Sequence, residues 1–568
     1  MAAARAAAVP PRRMFGSAPR WSILVLFGAA ALVGAPLLSL AITALGGDLS
    51  LWRTLAANVL APALVETGLL LGGVAVLAGT IGIGTAWLVT AHRFPGRDAL
   101  AWLLPLPLAV PTYITAYVYV EAFDAAGPVR SLLRHWAGPQ AHGDAWFPEI
   151  RSLPGCVLVM SVVLYPYVYV AARAMFLTQS ASMLEVARTL GASRLEMFRT
   201  IALPLARPAL AIGLSLALLE TLNDIGATEY LGVRTLTVSL YNTWLNLGSL
   251  AGAAQIACVM LAFVVALIGL ERYGRRNRRY ATSARRTRPA APVRLPRGAG
   301  LSAAAACAAP VALGFALPIG FLLRESLRRG LVEQLDPAFV EALATTVALA
   351  ALATGATLLL GVAVVTASRL AQRRVTEAMT FVVGFGYAVP GTVLALGLLG
   401  PLVGFDNLLN TAWLALAGER LGLVVMGSAA GIIVAYCIRF LPIATGSLTA
   451  GLSRVSGSIE AAARTLGAKP RELVLRVQLP LLRPALASAA LLVFVDCLKE
   501  LPATLLLRPL NTETLATLVY GHAARGSFED GSLAALVIVL VGIMPVMRLT
   551  QTAAMALPIA QGQAVPAA

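Results

Sequence analysis

Charge is what this 568-residue chain has little of. Asp, Glu, Lys and Arg make up 12% of it, against 58% hydrophobic residues and a mean hydropathy of +0.80. A soluble domain carries about twice that charged share, and a disordered chain needs low hydrophobicity with high net charge, so both classes are excluded. Cysteine is scarce as well: Cys156, Cys258, Cys307, Cys437 and Cys497 are scattered through apolar stretches with no ligand spacing. A disulfide scaffold is thereby excluded, and the thiols read as small buried hydrophobes. The histidines, His92, His135, His142 and His522, are isolated, and only His135 and His142 share a loop, seven apart. Lysine is nearly absent. Neither Lys469 nor Lys499 sits in Gly-x-x-x-x-Gly-Lys-Ser/Thr, so no ATPase site of its own and no bound cofactor are expected.

What is present is long apolar runs. A bilayer core about 30 Å thick takes about 20 apolar residues per helix, and such runs occur at 21–45, 60–91, 99–121, 154–177, 206–223, 250–270, 301–323, 340–367, 378–400, 422–446, 481–499 and 532–549. The expected fold class is an all-α membrane protein of about 12 transmembrane helices. Arg12-Arg13-Met14-Phe15 imitates a twin-arginine export signal, but the following run is too long for a signal core, so a retained first helix is expected. With both termini cytoplasmic, the inner connections and helix ends hold 32 of the 44 Lys+Arg and 7 of the 27 Asp+Glu. That is the positive-inside bias. The net charge of +17 is then mostly topology, and the outer surface is mildly acidic.

Self-comparison reveals a repeat. Thr67 precedes Ala109-Val110-Pro111 as Thr346 precedes Ala388-Val389-Pro390, at an offset of 279; Pro166 pairs with Pro442 at 276. At the same 276, Ala187-Arg-Thr-Leu-Gly-Ala192 matches Ala463-Arg-Thr-Leu-Gly-Ala468, and Leu203-Pro-Leu-Ala-Arg-Pro matches Leu479-Pro-Leu-Leu-Arg-Pro. The chain reads as two parallel six-helix repeats. The expected organisation is a basic cytoplasmic N-terminus (1–20), a first half (21–270), an Arg-rich cytoplasmic linker (271–297), a second half (298–550) and a C-terminal tail (551–568). The linker's ten arginines suit a tether held near anionic headgroups rather than a nucleic-acid site.

The repeated sequence falls in the inner loop between the fourth and fifth helices of each half. Glu185 to Leu190 is expected to be helical, and Gly191 to stop it in the left-handed region. Ser193 and Glu196 form a capping box for a second helix, which Leu203-Pro204 is expected to end. In the second copy Gly467 is the stop, Pro470 sits in a first turn and Glu472 follows. A helix-turn-helix DNA reader needs its own packed core, whereas both flanks here enter the membrane. The remaining functional reading is a docking element for a soluble partner, present twice; a solvated loop without a partner is its bland counterpart.

At the fifth and eleventh spans, Glu220-Thr-Leu-Asn-Asp224 aligns with Asp496-Cys-Leu-Lys-Glu500. Carboxylates four apart share one helix face, so Glu220, Asp224, Asp496 and Glu500 are candidates for lining a translocation path. Their structural alternative is pairing with Lys499 and its neighbours.

Glu185-x-Ala187-x-x-x-Gly191 followed by Ile201-x-Leu203-Pro204 resembles the coupling signature of permease subunits in binding-protein-dependent ABC importers. The resemblance implies a type I permease fold in a bacterial inner membrane, two copies of a cytoplasmic ATPase that uses ATP, and a periplasmic binding protein. It assigns ATPase coupling to Glu185, Ala187, Arg188, Gly191, Glu460, Ala463, Arg464 and Gly467. The second copy departs from the pattern, since Glu460 stands one residue earlier than Glu185 relative to its glycine. Twelve helices in two repeats also describe a major-facilitator secondary transporter, but His92-Arg-Phe-Pro-Gly-Arg-Asp98 poorly matches the basic motif expected there.

Leu498-Lys-Glu-Leu-Pro-Ala-Thr with Thr512-Glu-Thr-Leu515, and Glu220-Thr-Leu222 through Thr235-Leu236, is similar to the fused permeases of ferric-iron importers. The resemblance implies iron cargo, although thiamine, phosphonate, sulfate and polyamine permeases are built alike. Oxygen donors suit a hard trivalent cation. Tyr113, Tyr117, Tyr119, Tyr165, Tyr167 and Tyr169 could supply them or could be packing aromatics, and no residue is firmly assigned as a metal ligand.

Overall fold

In lipid every backbone N–H and C=O must find its partner within the protein, which favours helices throughout. The computed structural model describes residues 20–124, 149–178, 189–275, 292–330, 335–371, 373–453, 457–468 and 472–561, with 127–129, 131, 135 and 333. The first half contains α1 (Arg20–Leu45), α2 (Trp52–Ala91), the bent pair α3 (Arg97–Ala109) and α4 (Thr112–Phe123), α5 (Leu153–Thr178) and α6 (Phe198–Asn223). Two short helices, α7 (Gly226–Tyr230) and α8 (Leu236–Leu245), lead into α9 (Leu250–Arg275). The second half contains α10 (Arg297–Arg328), α11 (Pro337–Leu370), α12 (Arg373–Ala388), α13 (Gly391–Ala417), α14 (Ala429–Ser453) and α15 (Gly457–Thr465). It continues with α16 (Leu473–Leu481), α17 (Arg483–Leu498), α18 (Pro502–Leu507), α19 (Leu515–Ala524) and α20 (Ser532–Gln561). Among the described residues 10 helices are long and apolar enough to span a membrane, or up to 12 if each of two bent pairs counts once.

Several expected boundaries move, and proline or glycine explains those within the spans. The runs 99–121 and 378–400 are not single straight helices. Both break at a repeated Val-Pro, with a bend of 94° between α3 and α4, and Pro111 and Pro390 have the same φ −57°, ψ 142°. Proline excludes the preceding residue from the helical region, and Val110 accordingly has φ −95°, ψ 117°. The run 422–446 begins late, at Ala429. Gly418, Gly422 and Gly427 hold a loop with positive φ, and the buried Asp406 carboxylate accepts the backbone N–H groups of Val424, Val425 and Met426 at 3.2, 2.8 and 2.8 Å. The helix expected to end at Leu203-Pro204 does not end there. A π turn, Phe198–Ala202, carries the chain straight into the span, with Pro204 in its first turn. The same arrangement occurs at Pro62, Pro318 and Pro480, each two residues after a π turn. The wider turn relieves the clash between the proline ring and the preceding carbonyls, so proline is tolerated within a membrane helix. At the C-terminus α20 runs on to Gln561, into the segment expected as a tail.

The chain separates into two compact units. One comprises Met1–Ala35, Ala353–Tyr387 and Tyr436–Val493, with Leu26, Ala29, Val364, Ala367, Val383 and Leu441 forming a core. The other comprises Pro36–Leu352, Ala388–Ala435 and Phe494–Ala568. In this second unit, Tyr113, Ile114 and Tyr117 of α4 share a core with Leu515 and Val519 of α19 and Ile538 of α20, so segments from the two sequence halves interlock. Helix α5 is gripped on two sides by glycines. A Cβ at Gly82 of α2 would meet the Tyr165 carbonyl oxygen at 2.8 Å, and one at Gly213 of α6 the Tyr167 carbonyl oxygen at 2.8 Å. Such backbone approach is how membrane helices gain packing contacts where lipid removes the hydrophobic driving force. The far end of the Arg-rich linker is pinned: Val293–Arg294 pairs in parallel with His92–Arg93, and the Leu295 N–H donates to the Arg93 carbonyl at 3.1 Å.

Candidate functional site

The four candidate carboxylates do not share helix faces as their spacing predicts. Helix α6 stops at Asn223, and Asp224 is extended with ψ 125°; α17 stops at Leu498, before Glu500. The chain then folds back into α7 and α18, and the second carboxylate of each pair caps that short helix. Asp224 Oδ1 accepts the Ala227 N–H at 2.7 Å, and its other oxygen accepts the Thr112 hydroxyl from the start of α4. Glu500 accepts the N–H groups of Ala503 and Thr504, each at 3.0 Å, and the Thr504 hydroxyl at 2.8 Å. Both are buried, at 8% and 5% exposure. A buried carboxylate is tolerable only when its lone pairs are filled, and these are. Asp496 is in an ion pair, 2.8 Å from Lys499 Nζ, as the structural alternative expects, while Glu220 is half-buried at the end of α6. Among the described residues no three His, Cys, Asp or Glu gather so as to hold a metal ion. Asn223, which the sequence did not single out, accepts the Gly391 N–H at the start of α13 at 2.7 Å.

Thr67 and Thr346 acquire a purpose beyond marking the repeat. The Thr67 hydroxyl accepts the Leu236 N–H at 3.0 Å, and the Thr346 hydroxyl accepts the Leu515 N–H at 2.8 Å. Leu236 and Leu515 are the first residues of α8 and α19, whose N-caps are Thr235 and Thr514. A long helix therefore satisfies an orphan N–H of a short one, twice, at the same offset of 279 that relates the two threonines. Replacing either threonine with valine keeps its shape and strands a buried N–H, at a cost of about 1–3 kcal/mol. Each variant is expected to melt earlier in detergent, and the pair additively, by thermal unfolding of the purified chain.

Of the coupling residues, Glu185, Ala187 and Arg188 lie outside the described residues, as does Pro470. Gly191 has φ +84° and Gly467 φ +86°, the left-handed stops expected of them. Glu196 N–H donates to Ser193 Oγ at 3.2 Å, and Ser193 N–H to Glu196 at 3.4 Å, completing the capping box. In the second copy α15 carries Glu460, Ala463 and Arg464, and the Ala468 N–H closes back on the Ala463 carbonyl at 3.0 Å across the glycine turn. Immediately before each glycine stands a leucine that sequence reasoning passed over: Leu190 is 81% exposed and Leu466 88%. Their place in the repeat was visible, but their exposure was not.

Most of the candidate tyrosines are packing groups. Tyr119 donates to the Leu313 carbonyl at 3.1 Å, Tyr165 to that of Leu104 at 2.7 Å and Tyr169 to that of Ala101 at 3.0 Å. Tyr113 and Tyr117 are buried in the α4 core. The five cysteines are free, four of them buried and Cys258 partly so. His135 is exposed, and His142 lies outside the described residues.

A set of bent and broken spans in two repeats, with a left-handed glycine turn ahead of the fifth span of each, defines a membrane permease. Residues 78–279 and 358–550 each match the family described as binding-protein-dependent transport system inner membrane component, and the chain belongs to it. It is the transmembrane, multi-pass subunit of an ABC importer of the inner membrane. It is 24% identical over 485 residues to the Fe(3+)-transport system permease protein FbpB 2 of Haemophilus influenzae, covering 84% of this chain and 88% of that protein. It is 30% identical over 190 residues to the molybdenum transport system permease protein ModB of Escherichia coli, covering 32% of this chain and 80% of that protein. To the sulfate transport system permease protein CysW of Escherichia coli it is 32% identical over 197 residues, 32% of this chain and 62% of that protein. Molybdenum was not among the cargo alternatives the sequence suggested.

Proposed function

We propose that this chain supplies both membrane halves of an importer for ferric iron, delivered by a periplasmic binding protein and driven by two copies of a cytoplasmic ATPase. The observation that carries the cargo is the likeness to an Fe(3+) permease along 84% of the chain and 88% of that protein, which matches it in overall length. Both termini face the cytoplasm in this reading, as the basic inner loops favour. ATP is bound and hydrolysed by the partner, because the two lysines of this chain sit in no phosphate-binding loop.

Each ATPase docks on one glycine-turned segment, contacting Glu185, Ala187, Arg188 and Gly191 in the first copy and Glu460, Ala463, Arg464 and Gly467 in the second. The exposure of Leu190 and Leu466 supports docking, since an exposed leucine at the same place in both copies is the apolar anchor a groove would take. Closure of the ATPases moves both helices and opens the path outward; hydrolysis resets it.

The test is uptake by vesicles containing the chain and its ATPase, given the binding protein and ferric, molybdate, sulfate or thiamine cargo. ATP-dependent ferric uptake is expected. Uptake of molybdate in its place would overturn the cargo, and ferric uptake driven by a proton gradient without ATP would overturn the mechanism.

A further inference from the structure

A cavity of about 380 Å³ opens among Tyr117 of α4, Arg151 ahead of α5, Gly226, Glu229 and Tyr230 of α7, and Tyr520 of α19. In the orientation proposed above it faces outward, between α4 and α5 and beside the turn that follows α6. Its polar groups are joined in pairs. The Tyr520 hydroxyl donates to Glu229 at 2.7 Å, linking the second half to the first, and the Tyr230 hydroxyl donates to Glu121 at 3.1 Å. The Arg151 guanidinium sits 4.8 Å above the Tyr230 ring.

We propose that this cavity is the cargo entry site and that it admits a cation still carrying its water or a small chelating anion. Three observations support it. Glu229 lines the cavity with Arg151, and Glu121 stands behind it on the Tyr230 hydroxyl, so two carboxylates accompany one guanidinium, a balance that favours cations over oxyanions. At about 30 Å³ per water the space equals roughly a dozen water molecules, far more than a bare ion fills. The Tyr520 and Tyr230 phenols already donate to Glu229 and Glu121, so the wall recognises the hydrated charge without replacing its ligands. Arg151 is then placed to hold a chelating anion, and the phenols to hydrogen-bond bound water.

The Glu229–Tyr520 bond gives the site a direction. A cation drawing on Glu229 competes with the Tyr520 hydroxyl for the same lone pairs, so occupancy loosens a link between the two sequence halves. Removing the carboxylate and removing the competing phenol therefore have opposite effects on cargo affinity, which a purely structural pair would not produce.

This inference rests on the orientation and cargo class proposed above. The experiment uses vesicles with the complete chain, ATPase and binding protein, with ferric nitrilotriacetate and molybdate as probes. Glu229→Gln is expected to raise the apparent KM for ferric uptake about tenfold, and Tyr520→Phe to lower it. Glu229→Asp, which keeps the charge, should stay near wild type and replaces the glutamine variant should that fail to assemble with the ATPase. Wild-type vesicles that import ferric iron while both Glu229→Gln and Tyr520→Phe leave KM unchanged would overturn the site alone. Wild-type vesicles that import molybdate and not ferric iron would overturn the cargo reading beneath it.

Discussion

Aspartate at both Leu190 and Leu466 is expected to weaken binding of each ATPase copy to this chain by at least about tenfold. Full burial of a leucine is worth about 1.5–3 kcal/mol, and the one anchor each copy loses exceeds the roughly 1.4 kcal/mol that a tenfold change in affinity represents. The carboxylates also oppose docking by their own desolvation. Titration of purified ATPase onto the reconstituted chain measures this, with Leu→Met at both positions as the apolar control. Wild-type affinity in the aspartate variant would show that these turns are not where the ATPase binds. Valine at Gly191 and Gly467 tests the turn itself. A φ near +85° is hostile to a β-branched residue, so this variant is expected to hydrolyse ATP while its uptake falls away.

Loss of the capping carboxylates is expected to be the costliest change within the membrane. Alanine at Asp224 strands the Ala227 N–H and the Thr112 hydroxyl, and alanine at Glu500 strands the N–H groups of Ala503 and Thr504, while the Thr504 hydroxyl keeps the Glu500 carbonyl. At about 1–3 kcal/mol for each of two orphaned buried groups, each variant is expected to lose about 2–6 kcal/mol. Asparagine and glutamine keep one acceptor oxygen and should fall between alanine and wild type. Thermal unfolding in detergent reads the order. Alanine variants that unfold like wild type but fail to transport would return Asp224 and Glu500 to the role of cargo contacts.

The contrast between the two glutamate-bearing segments shows how far sequence carried. The offset of 276 set Asp224 against Glu500 and Asp496 against Glu220, and the four-residue spacing implied a shared helix face. What it could not show was that both helices end between the paired residues, because that ending is rewarded by Thr112, Ala503 and Thr504 in folded geometry. Gly191 and Gly467 were legible for the opposite reason. A left-handed glycine stop and a Ser-x-x-Glu capping box are satisfied within one turn of chain, so the residues themselves announce them.

Hydropathy fixed the helical membrane class and nearly all the spans, since crossing about 30 Å of hydrocarbon is a demand each segment meets alone. Basic residues favoured an orientation, and self-similarity revealed the two halves. Tertiary structure decided the rest: that Val-Pro bends the third span, that a π turn lets Pro204 stay inside a helix, and that Thr67 serves α8. It alone brought Tyr117, Arg151, Glu229 and Tyr520 around one cavity. Those outcomes depend on which distant donor fills which lone pair, and a sequence holds the donors without stating the pairs.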